Sequence, residues 1–131
     1  MQPDKPFEDD QVQTLIGEDG FHRLTAAFYR QVKTDPILGP MYPADDWEGS
    51  EERLRDFLMF RFGGPAHYLE KRGHPRLRMR HAPFPITAAA RDRWVELMTN
   101  ALNEAAFPAP ADRILREFFA NTATFLINRP H

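Results

Sequence analysis

The chain has 131 residues and a mass of 15.2 kDa, the size of a single domain spanning residues 1–131. Lys and Arg number 17 against 19 Asp and Glu, so the net charge of -2 argues against a generic polyanion binder. There is no cysteine, which excludes disulfides, thiolate metal sites, iron–sulfur clusters and thiol nucleophiles. Phenylalanine alone supplies 11 residues, which points to a large apolar interior or an apolar cofactor pocket. No apolar run approaches the ~20 residues of a membrane span. The acidic, polar start MQPDKPFEDD lacks the apolar region of a secretory signal, so the expected address is the cytoplasm, away from any membrane.

Residues 1–6 are expected to form a loose tail, followed by a short helix over Phe7–Ile16 and a turn at Gly17 and Gly20. Phe21, Leu24, Phe28 and Val32 then recur at helical spacing and mark one amphipathic stripe. Asp35-Pro36 suits an N-cap with proline in the first helical position, opening a short turn that ends near Gly39-Pro40. MYPADDWEG is expected to be a loop. A helix over Gly49–Phe62 follows, with Ser50, Leu54, Phe57, Leu58 and Arg61 on one side, and Gly63-Gly64-Pro65 ends it. Residues 66–85 are broken by prolines and carry the basic run KRGHPRLRMRH. Thr87 caps a helix to Ala105 with Trp94, Leu97, Met98, Ala101, Leu102 and Ala105 inward. After the break FPAPAD, a last helix over Asp112–Asn128 turns Leu115, Phe118, Phe119, Thr122 and Leu126 inward. No stretch alternates with period two, so the fold class is all-α.

Five histidines are present, none in His-Glu-x-x-His spacing, and no serine sits in a Gly-x-Ser-x-Gly elbow. Gly63-Gly64 is followed by proline rather than by a helix with free amides, so no phosphate loop is formed. His81 stands apart by context. It closes the segment Pro75–His81 and is flanked by Leu77, Met79, Ala82, Pro83 and Phe84 and by arginines. Such an imidazole suits a haem iron, with the arginines meeting the propionates. Taken alone, it is more readily a surface histidine in a basic loop.

The runs FYRQV (28–32), MYPADD (41–46), EERLRDFL (51–58), FGGPAHYLEKRGHPRLRMRHAPFPI (62–86) and RDRW (91–94), in this order, resemble a truncated haemoglobin of the second group, the O type. The resemblance covers residues 7–128 and implies a two-over-two helical sandwich around haem b (iron protoporphyrin IX). On the same basis His81 matches the proximal iron ligand. Tyr29, Tyr42 and Trp94 match the distal hydrogen-bond donors to bound O2. Ser50 matches the distal gate, and Leu54 the residue that shapes access beside it. Arg53 matches a propionate anchor, with Tyr68 and Arg80 as further candidates. Phe57, Leu58, Leu77, Phe84, Ile86 and Met98 are expected along the porphyrin. Without the family, Tyr29 and Trp94 fit core aromatics at helical spacing. Two departures stand out: Gly17-Glu18 replaces the family's usual Gly-Gly pair, and Phe62 stands where close relatives often carry Trp.

The resemblance implies a b-type haem protein that binds O2 reversibly. CO, NO, cyanide and peroxide are further small ligands, and self-association is compatible with the reading. The alternative is an NO dioxygenase or peroxidase-like enzyme at the same iron. Either would need a separate reductase, because 131 residues hold no flavin or nicotinamide domain. A third reading, nucleic-acid binding by Lys71–Arg80, is disfavoured by the overall charge and the lack of a recognisable nucleic-acid fold, so no nucleic-acid partner is expected.

Overall fold

A computed structural model describes residues 5–62 and 86–127, with side chains from Val12 onward. The described residues form four helices: α1 (Lys5–Val32), α2 (Trp47–Arg61), α3 (Ala88–Ala105) and α4 (Ala109–Phe125). A short 3-10 turn, Gly39–Met41, lies between α1 and α2. Helix α1 packs against each of the other three, and α3 packs against α4. No helix among the described residues is long and apolar enough to cross a membrane.

The two expected N-terminal helices are one element bent at Gly17. Gly17 alone leaves the helical region, with φ 63° and ψ -178°. That conformation is essentially restricted to glycine, so a single glycine makes the bend. Glu18 then continues the helix as an exposed residue, and a second glycine at the bend is not required. Gly20 is helical rather than a turn. It lets the chain close on Ile16, whose Cβ would lie 2.6 Å from any Cβ added there. Gly17→Ala is expected to lower stability by about 1–3 kcal/mol. Urea unfolding read by far-ultraviolet circular dichroism would measure it, and an unchanged midpoint would contradict the assigned strain.

Beyond the bend, Phe21, Leu24, Phe28 and Val32 are fully buried, as their spacing predicts. Burying each such side chain contributes about 1.5–3 kcal/mol. Phe62 is also fully buried, stacked near Phe21 (centroids 6.5 Å apart) and edge-on to Phe118 at 5.0 Å. The smaller ring thus fills the space behind α2. Arg61, placed on the same side of this helix as Leu54 and Leu58, is exposed. Its guanidinium lies over the rings of Phe62 and Phe118, 5.1 Å from each centroid, so its stem covers apolar surface while the charge stays in water.

The start of α2 falls two residues ahead of the expected position, at Trp47. The start of α3 matches expectation: the Thr87 side chain accepts from the Ala90 N–H at 3.1 Å. Helix α4 begins at Ala109, inside the proline-rich stretch expected to break the chain. Pro108 is the N-cap and a second proline occupies the first turn, where a missing N–H has no cost. Polar ties fix α1 on α3: Gln31 Nε2 donates to the Leu97 carbonyl at 2.9 Å and Arg23 Nη1 to the Ala105 carbonyl at 3.2 Å.

Candidate functional site

The packing leaves a cavity of about 380 Å³ among the four helices and the α1–α2 connection. Helix α1 contributes Tyr29. The connection supplies Leu38, Met41, Tyr42 and Pro43, and α2 supplies Ser50, Arg53, Leu54, Phe57 and Leu58. Ile86, Ala90, Arg91 and Trp94 come from the chain around α3, and Phe118, Phe119, Thr122, Ala123 and Leu126 from the last helix and its cap. Most of the wall is aliphatic or aromatic, and the polar groups gather at two places.

The first is an aromatic cluster. Tyr29 meets Tyr42 edge-on at 5.5 Å between centroids, and Tyr42 stacks beside Trp47 at 5.8 Å. Phe28 holds Tyr29 on one side and Trp94 on the other, each at 5.1 Å, and Phe119 backs Trp94 at 5.5 Å. Within this frame the Tyr42 hydroxyl is in hydrogen-bonding contact with both Tyr29 and Trp94. Burial raises the pKa of both phenols. The Tyr29–Tyr42 contact raises Tyr29 further and opposes the rise at Tyr42. Trp94 has only an N–H to offer and also acts on the Tyr42 oxygen.

The second polar place is Arg53, half-exposed on α2. Its Nη2 donates to Ser50 Oγ at 3.2 Å and pairs with Asp46 Oδ2 at the same distance. Ser50 itself is buried, so a short hydroxyl and a guanidinium share this side of the cavity.

Tyr29, Tyr42, Ser50, Arg53, Leu54, Phe57, Leu58, Ile86 and Trp94 are therefore brought together by the fold on one cavity. Met98, expected along the porphyrin, is 1% exposed in the core and is not part of the cavity wall. His81, Tyr68, Leu77, Arg80 and Phe84 lie outside the described residues. Sequence reasoning missed Trp47 as a support of the tyrosines, and Arg91 and Met41 as lining. The α4 wall was present in the sequence as the inward stripe Phe118, Phe119, Thr122 and Leu126, though without its role.

The bacterial-like globin family model matches residues 13–128. The chain belongs to this family. The group 2 truncated haemoglobin YjbI of Bacillus subtilis is 35% identical over 114 residues, covering 87% of this chain and 86% of the relative. Among solved structures, a thermostable haemoglobin from Thermobifida fusca superposes with a TM-score of 0.88 at 46% identity, covering 92% of this globin and 98% of its own chain. A truncated haemoglobin from Bacillus subtilis, described as oxygen-avid, superposes at 0.85 with 33% identity, covering 89% and 98%. The four helices are thus those of a group II truncated globin, α1 and α2 laid over α3 and α4 in the two-over-two arrangement.

A globin implies a haem cofactor, and the cavity fits one. Haem needs apolar walls for its ring, cationic groups for its carboxylates and space with donors where a ligand enters. Leu54, Phe57, Leu58, Phe118 and Leu126, which line the cavity, would supply the walls, Arg53 a cation, and Tyr29, Tyr42 and Trp94 the donors. The described residues contain no cluster of three or more His, Cys, Asp or Glu that would hold a bare metal ion instead.

Proposed function

We propose that this globin holds haem b, with His81 as the protein ligand of the iron, and binds O2 reversibly in the cavity beside Tyr29, Tyr42 and Trp94. The observation that carries the reading is the convergence of three neutral hydrogen-bond donors on one apolar cavity. Bound haem supplies a ferrous iron with one exchangeable coordination position for small diatomic ligands. The absence of cysteine supports non-covalent attachment, since no thioether link to the ring can form.

The rest is the work of the chain. Arg53 is placed to meet an anionic edge of the ring by charge-assisted hydrogen bonds. Apolar walls exclude water, which strengthens any hydrogen bond made inside. On bound haem O2 would carry partial negative charge, whereas CO would stay nearly apolar. Donors in a dry cavity therefore favour O2 and slow its escape. Ser50 is short and already engaged by Arg53, so the distal position carries no side chain able to reach the iron in place of a ligand. The oxygen-avid relative has a fold of the same kind and supports the tight-binding reading.

The deciding experiment is an absorption spectrum of the purified protein. A Soret band that shifts with CO and reversibly with O2 is expected, and its absence after reconstitution with haem would overturn the reading. The tyrosines add a second expectation. Burial raises both phenols, so their protons stay in place throughout neutral pH and are lost only above the ordinary tyrosine range near ~10. The O2 dissociation rate should therefore be flat between about pH 6 and 9. A step near pH ~6.5, seen by stopped flow, would instead place a titrating histidine in the pocket.

A further inference from the structure

The donors stand on two separate pieces of chain. Tyr42 ends the 3-10 turn between α1 and α2, and Trp94 lies in the second turn of α3. One buried carboxylate ties these pieces together.

The side chain of Asp35 is 1% exposed. Its Oδ2 accepts from the N–H groups of Ile37 at 3.0 Å and Leu38 at 2.8 Å, and its Oδ1 accepts from Arg93 Nε at 2.5 Å. The Asp35 carbonyl accepts from the Gly39 N–H at 2.9 Å. The turn then closes with Met41 N–H on the Leu38 carbonyl at 2.9 Å and Tyr42 N–H on the Gly39 carbonyl at 3.2 Å. Both the side chain and the main chain of Asp35 thus set the path that delivers Tyr42.

On the other side, Arg93 immediately precedes Trp94 and is itself held by Glu96, Nη1 to Oε1 at 2.9 Å. A buried carboxylate is costly unless its oxygens are satisfied, and here two main-chain donors and a guanidinium satisfy both. Burial alone would raise the Asp35 carboxyl. The Leu38 N–H, the Arg93 guanidinium and the Ile37 N–H outweigh it and hold the carboxyl below the usual range. Neither Asp35 nor Arg93 lines the cavity, so neither can touch a ligand there.

We infer that the Asp35–Arg93 pair is a clamp that sets Tyr42 against Trp94 and thereby tunes how tightly the cavity holds O2. Both are positioning residues, and the inference rests on the O2-binding reading given above.

Arg93→Gln tests it with the least disturbance, because the turn bonds of Asp35 remain and only the link to α3 is cut. Asp35→Asn is the companion, and Arg93→Lys keeps the charge. In Arg93→Gln the O2 dissociation rate should rise by about 3- to 10-fold. The Trp94 indole proton–nitrogen resonance of the CO form, assigned with Trp94→Phe, should move as well. Arg93→Lys should restore most of both. A role in stability alone would lower the melting temperature and leave the rate and the resonance where they were. If Trp94→Phe changes the O2 rate but Arg93→Gln changes neither readout, the clamp is wrong and the O2-binding reading stands. If Trp94→Phe has no effect either, the donor role of Trp94 is wrong as well, while O2 binding itself stands or falls with the absorption spectrum.

Discussion

His81→Ala is expected to leave a folded protein that no longer retains haem. Among the described residues no histidine lines the cavity. His22 is exposed on α1 and is not part of the cavity wall. Loss of a partner that merely orients a metal ligand already weakens metal affinity by about 10- to 100-fold, so loss of the ligand itself should exceed ~100-fold. The measurement is haem content after gel filtration, together with the rate of haem transfer to an apo-globin acceptor. Added imidazole should restore a Soret band by filling the space left by the side chain. His67→Ala and His74→Ala, within the same proline-broken stretch 66–85, serve as controls, both expected to retain haem. If His81→Ala keeps a normal haem content and ferrous spectrum while either control loses it, the ligand is the other histidine and the reading of the segment 75–81 is wrong.

The helices were legible because their apolar residues recur with helical spacing, and Thr87 could be named as a cap because a hydroxyl before an amphipathic stretch has one obvious use. Misreadings arose where local chemistry has two outcomes. Gly17 and Gly20 look alike in sequence, yet one takes a positive φ and the other only makes room for Ile16. Pro108 and Pro110 read as a break but open α4, since proline is tolerated in a first helical turn. Arg61 shares a side of its helix with Leu54 and Leu58, but its charge belongs in water and only its stem packs. The cavity was legible in part: the family resemblance pointed to Tyr29, Tyr42 and Trp94 together with the α2 wall. Asp35 was read as a cap from Asp-Pro alone. Its second role depends on Arg93, 58 residues further along, and no local pattern encodes a contact of that range.

Trp94→Phe and Tyr42→Phe are each expected to raise the O2 dissociation rate by about 10- to 100-fold, the effect of losing one hydrogen bond to a partly charged ligand. The two act differently. Tyr42 is the point where the three groups meet, since its hydroxyl is in contact with both Tyr29 and Trp94. Removing the Tyr42 hydroxyl takes away one donor and at the same time releases the other two. Tyr29→Phe acts through Tyr42 and should change the rate less by itself. Combined with Tyr42→Phe it should give a rate below the product of the two single effects, because without the Tyr42 hydroxyl Tyr29 has nothing left to act through. CO dissociation should change much less in every variant, since a nearly apolar ligand gains little from a donor. The rings themselves are retained by phenylalanine at Tyr29 and Tyr42, so the edge-on contact at 5.5 Å survives and the comparison isolates the hydroxyls. Stopped-flow displacement of O2 by CO, run on the wild type, the three single variants and the Tyr29→Phe/Tyr42→Phe double variant, gives all the rates. Equal O2 rates across the set would make the three aromatics packing residues only. Single effects that multiply in the double variant would show independent donors, and the shared role of the Tyr42 oxygen would be refuted.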